Sequence, residues 1–140
     1  MLYIDTSVLV AAFTVEEVSL RMREWLIGQR PGELVISDWT ITEFSSALSL
    51  KPRTKQIGAL ERNNALAGFN LLVAESFNIL AITSAHFRSA AQIANQYPLG
   101  IRGGDALHLA VVIDHNATFC TLDKKLAEGG KAMGARTMLL

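Results

Sequence analysis

Short apolar runs alternate along this chain with helix-like segments, and that alternation restricts it to an α/β layer fold built on a mainly parallel sheet. The strand-like runs are Leu2 to Ile4, Leu34 to Ser37, Phe77 to Ile82, Thr118 to Thr121 and Thr137 to Leu139. Helical patterning covers Ser7 to Phe13, Glu17 to Gln29, Thr40 to Lys51, Ile57 to Glu75, Ser84 to Gln96, Asp105 to Asn116 and Lys124 to Gly130. Arg30-Pro31-Gly32 and Pro52 are expected to end helices, Ser84 to cap one, and Pro98, Gly100, Gly103 and Gly104 to mark an exposed loop. No repeat, low-complexity tract or long linker divides the sequence. The expectation is one domain over residues 1–140, with a sheet of four to five strands flanked by helices.

Composition narrows the function. Half of the 140 residues are hydrophobic, enough for a sizeable core. The 13 basic and 13 acidic residues cancel, which excludes holding nucleic acid by a bulk positive field alone. A local acidic pocket beside a basic rim remains compatible with that balance, and near-zero charge favours self-association or a partner. Cys120 is the only cysteine, so an intrachain disulfide and a cysteine-held zinc are both excluded. It lies in the apolar run Ala117 to Leu122 and is expected to be buried. Asp5 interrupts the first apolar stretch, so no signal peptide is expected. The longest apolar run, Leu107 to Ile113, is far short of the roughly 20 residues of a membrane span and contains His108. A soluble cytoplasmic protein is expected.

In open parallel sheets, ligands gather at the carboxyl ends of the strands, and this chain carries acids there. Asp5 follows the first strand and Asp123 follows the strand ending at Thr121; Glu43 and Asp105 lie near helix starts. Each has an ordinary alternative. Asp5, Asp105 and Asp123 could be N-caps, and Thr40-Ile41-Thr42-Glu43 matches a capping box. Against the capping box, successive helical residues turn by about 100°, which puts Glu43 on the side of Trp39, Ala47 and Leu50. A carboxylate on an apolar side needs a partner such as a metal. The helix from Asp105 is apolar all round to Ile113 and should be buried. Several ionised carboxylates share a pocket only if cations neutralise them. All-oxygen ligand sets suit Mg²⁺ or Mn²⁺, and pairs of such ions cleave phosphodiesters.

The motifs resemble a known family. Met1-Leu2-Tyr3-Ile4-Asp5-Thr6-Ser7-Val8-Leu9-Val10 is similar to the opening of PIN domains, especially the VapC-type ribonuclease toxins. Thr42-Glu43-Phe44 fits the second acidic motif of that family, Gly104-Asp105-Ala106-Leu107-His108-Leu109-Ala110 the third, and Thr121-Leu122-Asp123-Lys124-Lys125-Leu126 the fourth. The resemblance covers essentially the whole chain. It implies that Asp5, Glu43, Asp105 and Asp123 are catalytic and converge on one or two Mg²⁺ or Mn²⁺ ions. It further implies hydrolysis of single-stranded or looped RNA by a metal-activated water, a cognate antitoxin, and a homodimer. Many relatives carry another acid two positions after the fourth, where this chain has Lys125. That departure bears on the second metal.

Other residues complete the expectation. Ser7, Thr6 and Thr121 could support the carboxylates or a water, with Ser7 slightly favoured over Thr6. Arg102, Lys124 and Lys125 flank two of the acids, and Lys51, Arg53, Lys55 and Arg62 form a basic strip; Arg53 and the flanking three are candidate RNA contacts. His108 is expected to be a packed histidine, and His86 gives no constellation. Ile41, Phe44 and Leu48 form a stripe that reads as core; the resemblance adds the alternative of an antitoxin groove between this helix and the one from Ile57. No nearby pair of aromatics reads as a base-stacking platform. The rival functions are a noncatalytic RNA- or protein-binding module, and a phosphoryl-transfer domain that phosphorylates Asp5. The second is disfavoured because residue 7 is Ser, which leaves an Asp-x-Asp motif incomplete.

Overall fold

The computed structural model describes the backbone of residues 1–140 and every side chain but that of Pro52. Among the described residues, five strands form one sheet: β1 (Leu2–Ile4), β2 (Leu34–Ser37), β3 (Asn78–Leu80), β4 (Thr118–Thr121) and β5 (Arg136–Leu139). Their order is β3-β2-β1-β4-β5, and every neighbouring pair is parallel. The helices are α1 (Thr6–Phe13), α2 (Ser19–Ile27), α3 (Asp38–Arg53), α4 (Ala59–Ser76), α5 (Ser84–Ala94), α6 (Gly103–Asp114) and α7 (Lys124–Ala132), with a single 3-10 turn at Tyr97–Leu99.

Strand residues alternate between two apolar layers, as a pleated sheet covered on both faces requires. Ile4, Leu34, Ile36 and Cys120 pack with Val8, Met22, Phe44 and Phe69 from α1 to α4. Tyr3, Val35 and Phe119 pack on the other side with Ala90, Leu109, Val111 and Leu126 from α5 to α7. The α6 segment Ala106 to Val112 is buried throughout, in keeping with its all-round apolar sequence. The sheet grows outward in one direction from β1 to β3, then resumes on the other side of β1 with β4. The reversal leaves a switch point between the carboxyl ends of β1 and β4, the usual place for a ligand crevice in such sheets.

Several boundaries shift for local reasons. β3 is shorter than the run Phe77 to Ile82, because as an edge strand it pairs only with β2, through Val35–Asn78 to Ser37–Leu80. Thr83, not Ser84, caps α5: its backbone is extended, its hydroxyl accepts from His86 N–H, and His86 Nδ1 accepts from Thr83 N–H at 3.0 Å. α3 starts at Asp38 and reaches Arg53, past Pro52, which was expected to stop it. Ile41, Phe44 and Leu48 face inward, with Phe44 and Leu48 fully buried. Leu50, expected on the side of Glu43, is 58% exposed instead.

Phe44 stacks on Phe69 with centroids 3.9 Å apart and meets Phe13 edge-on, tying α3 to α4 and α1. Truncating it leaves a cavity between three helices. Phe44→Ala is expected to lower unfolding free energy by about 3–5 kcal/mol in urea titrations followed by circular dichroism. A loss below about 1 kcal/mol would mean that the aromatic cluster is not what joins these helices.

Candidate active site

Asp5 is the first residue past β1, and its backbone N–H donates to Cys120 O at 2.9 Å, so both central strands fix its position. Its side chain occupies the N-cap position of α1 but makes no cap hydrogen bond. Instead Oδ2 accepts from Ser7 Oγ at 2.5 Å and from Thr121 Oγ1 at 2.7 Å. Those hydroxyls are themselves aimed by the exit of β4. Leu122 N–H donates to Ser7 Oγ at 3.2 Å, and Asp123 N–H to Thr121 Oγ1 at 3.0 Å. Asp5 is only 5% exposed.

Glu43 lies more than a turn inside α3, so the capping box with Thr40 does not form. Thr40 Oγ1 instead accepts from Ser37 N–H at 3.4 Å and lies 3.3 Å from the Tyr3 hydroxyl. Glu43 Oε2 accepts from Thr6 Oγ1 at 2.7 Å and from His108 Nε2 at 2.6 Å. Burial pushes the Glu43 carboxyl up. The hydrogen bond and charge of His108, with Thr6 and the indole of Trp39, outweigh burial and hold it below the usual range. The Trp39 N–H faces this carboxylate without meeting hydrogen-bond geometry.

His108 is fully buried. Its Nδ1 lies 2.8 Å from the Tyr3 hydroxyl, which is 2.6 Å from Ser37 Oγ. Burial pushes the Tyr3 phenol up to about 12, against its hydrogen bonds to Ser37 and Thr40. The Tyr3 phenol therefore keeps its proton, and because the Glu43 carboxylate can only accept, His108 Nε2 carries a proton directed at it. The ligand atoms of Asp5, Glu43 and His108 lie within 4.8 Å of one another. His108 nevertheless has both ring nitrogens engaged by protein partners, so it is a packed histidine with a second partner.

Asp105, a candidate N-cap of α6, sits instead in its first turn, and Arg102 takes the N-cap position in extended backbone. Burial pushes the Asp105 carboxyl up, and the charges of Asp5, Glu43 and Asp123 push it the same way, with His108 opposing. All four acids thus share one electrostatic neighbourhood. Asp123 is exposed and does cap α7, its Oδ1 accepting from Leu126 N–H at 2.9 Å. A pattern emerges: Asp5, Glu43 and Asp123 each commit one oxygen to protein donors. Among the described residues, the other oxygen accepts no protein hydrogen bond. An all-carboxylate donor set with free oxygens fits Mg²⁺ or Mn²⁺.

The basic candidates divide. Arg102, Lys124 and Lys125 are exposed beside Asp105 and Asp123, with the Lys125 ammonium over Gly100. Arg53 is exposed at the far end of α3, about 15 Å along the axis from Glu43. Lys51 pairs with Glu16 at 3.1 Å. His86, expected to stand alone, meets Asp114 at 3.0 Å, with His115 4.0 Å from the same oxygen. This cluster ties α5 to the end of α6, about 14 Å along the helix from Asp105. Sequence reasoning missed Tyr3, Ser37 and Thr40 as supports of the site; the one available signal was the inward position of Tyr3 in an alternating strand.

The raised Asp105 carboxyl has a stability consequence. Folding favours its protonated form, so its contribution is stabilising below the unfolded carboxylate range and is lost as pH rises through the raised value. Asp105→Asn is therefore expected to melt above wild type at neutral pH in chelator, with the gap closing as pH falls into the carboxylate range. Equal or lower melting of the variant at neutral pH would contradict the repulsion.

A family model described as the PIN domain matches residues 2–132. No curated protein matches the chain in sequence. Among solved structures, FitAcB from Neisseria gonorrhoeae is similar with a TM-score of 0.72 at 18% identity, covering 99% of this chain and 96% of that one. Mycobacterium tuberculosis VapC20, described as a sarcin-ricin loop cleaving toxin, gives 0.73 at 14% identity, covering 96% of each chain. VapBC2 from Rickettsia felis, bound to a DNA fragment from its promoter, gives 0.70 at 16% identity, covering 100% and 99%. With the acidic motifs gathered at the switch point of a five-stranded parallel sheet, the chain belongs to the PIN-domain family.

Proposed function

We propose that the chain is a metal-dependent endoribonuclease that cuts single-stranded or looped RNA, and that it is the toxin of a type II toxin–antitoxin pair. The observation that carries this reading is the sharing of one field by Asp5, Glu43, Asp105 and Asp123, three of them with a free oxygen. PIN domains are typically nucleases, and the similarity to a toxin that cleaves the sarcin-ricin loop supports RNA as the substrate. Divalent ions held by Asp5, Glu43, Asp105 and Asp123 would supply charge neutralisation and activation of a water for attack at phosphorus.

The chain's own residues prepare that chemistry. Ser7 and Thr121 hold Asp5, and Thr6 and His108 hold Glu43, so the carboxylates are oriented before any ion arrives. Arg102, Lys124 and Lys125 lie where an RNA backbone would approach the acids. Arg53 would serve only an extended RNA, given its distance along α3.

The antitoxin would occupy a surface other than the α3 stripe, which is core as its sequence pattern indicated. An apolar groove of about 880 Å³ runs between α2 and α4, lined by Leu26, Ile27, Ile57, Leu71 and Leu72 with Phe13 of α1. Phe44 and Leu48 are core instead, so the groove lies between α2 and α4 rather than α3 and α4. An amphipathic helix suits such a groove. The similar structures FitAB bound to a DNA fragment and a Klebsiella pneumoniae toxin–antitoxin complex support a partner of this kind.

The noncatalytic module keeps one argument, Lys125 in place of a further acid. Incubating a cellular RNA pool with wild type or Asp105→Asn, in Mg²⁺, Mn²⁺ or chelator, separates the readings. Discrete fragments that require both the metal and Asp105 are expected; no cleavage by folded, partner-free protein would favour the module. Lys125→Asp is expected to tighten a second Mn²⁺ in calorimetry, and unchanged stoichiometry and affinity would count against that role for the lysine.

A further inference from the structure

Beside the acids the surface opens into an apolar pocket of about 340 Å³, lined by Trp39, Phe87, Ala90, Ala94, Gly104 and Leu107. That volume falls in the roughly 300–1,000 Å³ range of small-ligand sites. No charged side chain is among its lining residues. Phe87 is 60% exposed, beside Ala90, which is buried, Ala94, which is half-buried, and Ala91, which is exposed. The pocket also shares a wall with the acids. A Cβ on Gly104 would lie 3.1 Å from Trp39 Cζ2 and 3.1 Å from Glu43 Oε1, so the indole edge and the carboxylate flank the same glycine. Asp105 is the next residue.

We infer that this pocket receives an unpaired nucleobase of the RNA, from a nucleotide next to the phosphate held at the acids. The inference rests on the nuclease reading and extends it to a base subsite. A nucleotide has two chemically distinct ends, and the two halves of this surface match them. The phosphate belongs with the cation-binding acids and the exposed Arg102. The apolar, uncharged pocket would repel a phosphate and suits only the base. Bases of single-stranded RNA are characteristically splayed out and stacked on aromatic side chains. Trp39 and Phe87 supply two such side chains from α3 and α5, far apart in sequence. The bare Cα atoms of Gly103 and Gly104 and the methyls of Ala90, Ala91 and Ala94 keep the space between them open. Phe87 is thus the specificity-side contact, and Trp39 is a wall common to base and metal.

The test uses the full chain and RNA itself. Trp25→Phe leaves Trp39 as the only indole, since the chain has two tryptophans. In that background, with Asp105→Asn to slow cleavage and Mg²⁺ present, short single-stranded oligoribonucleotides are titrated against the same oligomers made abasic. Base-bearing RNA is expected to quench Trp39 and abasic oligomers to do so far less. Phe87→Ala should weaken binding about 5- to 150-fold, which is the loss of one stacked base, and Phe87→Tyr should restore it. In otherwise wild-type protein, Phe87→Ala should raise KM for cleavage by a similar factor with kcat unchanged. Equal binding of abasic RNA, or unchanged affinity and KM in Phe87→Ala, would overturn the subsite while cleavage itself stands. A Phe87→Ala variant that changes only self-association in sedimentation would assign the surface to a second copy and overturn it equally. Absence of both RNA binding and cleavage in wild type would instead remove the nuclease reading on which the subsite rests.

Discussion

Negative charge concentrated at one end of a parallel sheet is the constraint to which the rest of this molecule answers. Four carboxylates near the ends of β1 and β4 and the starts of α3 and α6 repel one another, and the upward push on Asp105 records that repulsion. Low-polarity surroundings make the repulsion stronger than water would. The structure meets it locally with donors that touch only one oxygen of a carboxylate. Ser7 and Thr121 serve Asp5, Thr6 and His108 serve Glu43, and a helix N-terminus serves Asp123. Asp105 has the least support, and its charge is the one most disfavoured.

These donors are available because of where the core elements lie. β1 and β4 are the two strands that flank the switch point, and residues leaving them reach the same crevice by topology alone. The neutral hydroxyls do not alter the site's charge, so they orient without adding to or cancelling the field that would draw in a cation. His108 differs from them. It reaches the site from a fully buried helix, and its far nitrogen is secured by Tyr3, whose hydroxyl is secured in turn by Ser37. A chain of buried polar groups satisfied at every link costs little to keep and resists rearrangement.

The amino-acid order conveyed the layers and the acids more readily than the contacts among them. The short apolar run Leu2-Tyr3-Ile4 and the unbroken apolar run of α6 signal burial through composition, which is a local property. Asp5 and Asp123 were placed by the strand ends that precede them. The partners of Glu43 could not be read in the same way: Thr6 is 37 positions away and His108 is 65 positions away. Glu43 carried a plausible capping box, and only the earlier start of α3 at Asp38 removed it. The stripe on α3 read as core, with a partner groove as the alternative, and the core reading holds. A hydrophobic stripe on α3 looks the same in sequence whether it packs inward or waits for a partner, and Phe44 and Leu48 pack inward.

Glu43 is held from two sides of the sheet at once. Thr6 belongs to α1, in the layer of Ile4 and Phe44, whereas His108 belongs to α6, in the layer of Tyr3 and Phe119. The carboxylate is therefore one staple between the two layers. Cation capture and layer registry become linked quantities. An ion that binds only the aligned arrangement stabilises it by mass action, by about 2.7 kcal/mol when its concentration is a hundredfold above its dissociation constant. Conversely, slippage of either layer would loosen the proposed ion site, making ion affinity a gauge of the fold's own integrity.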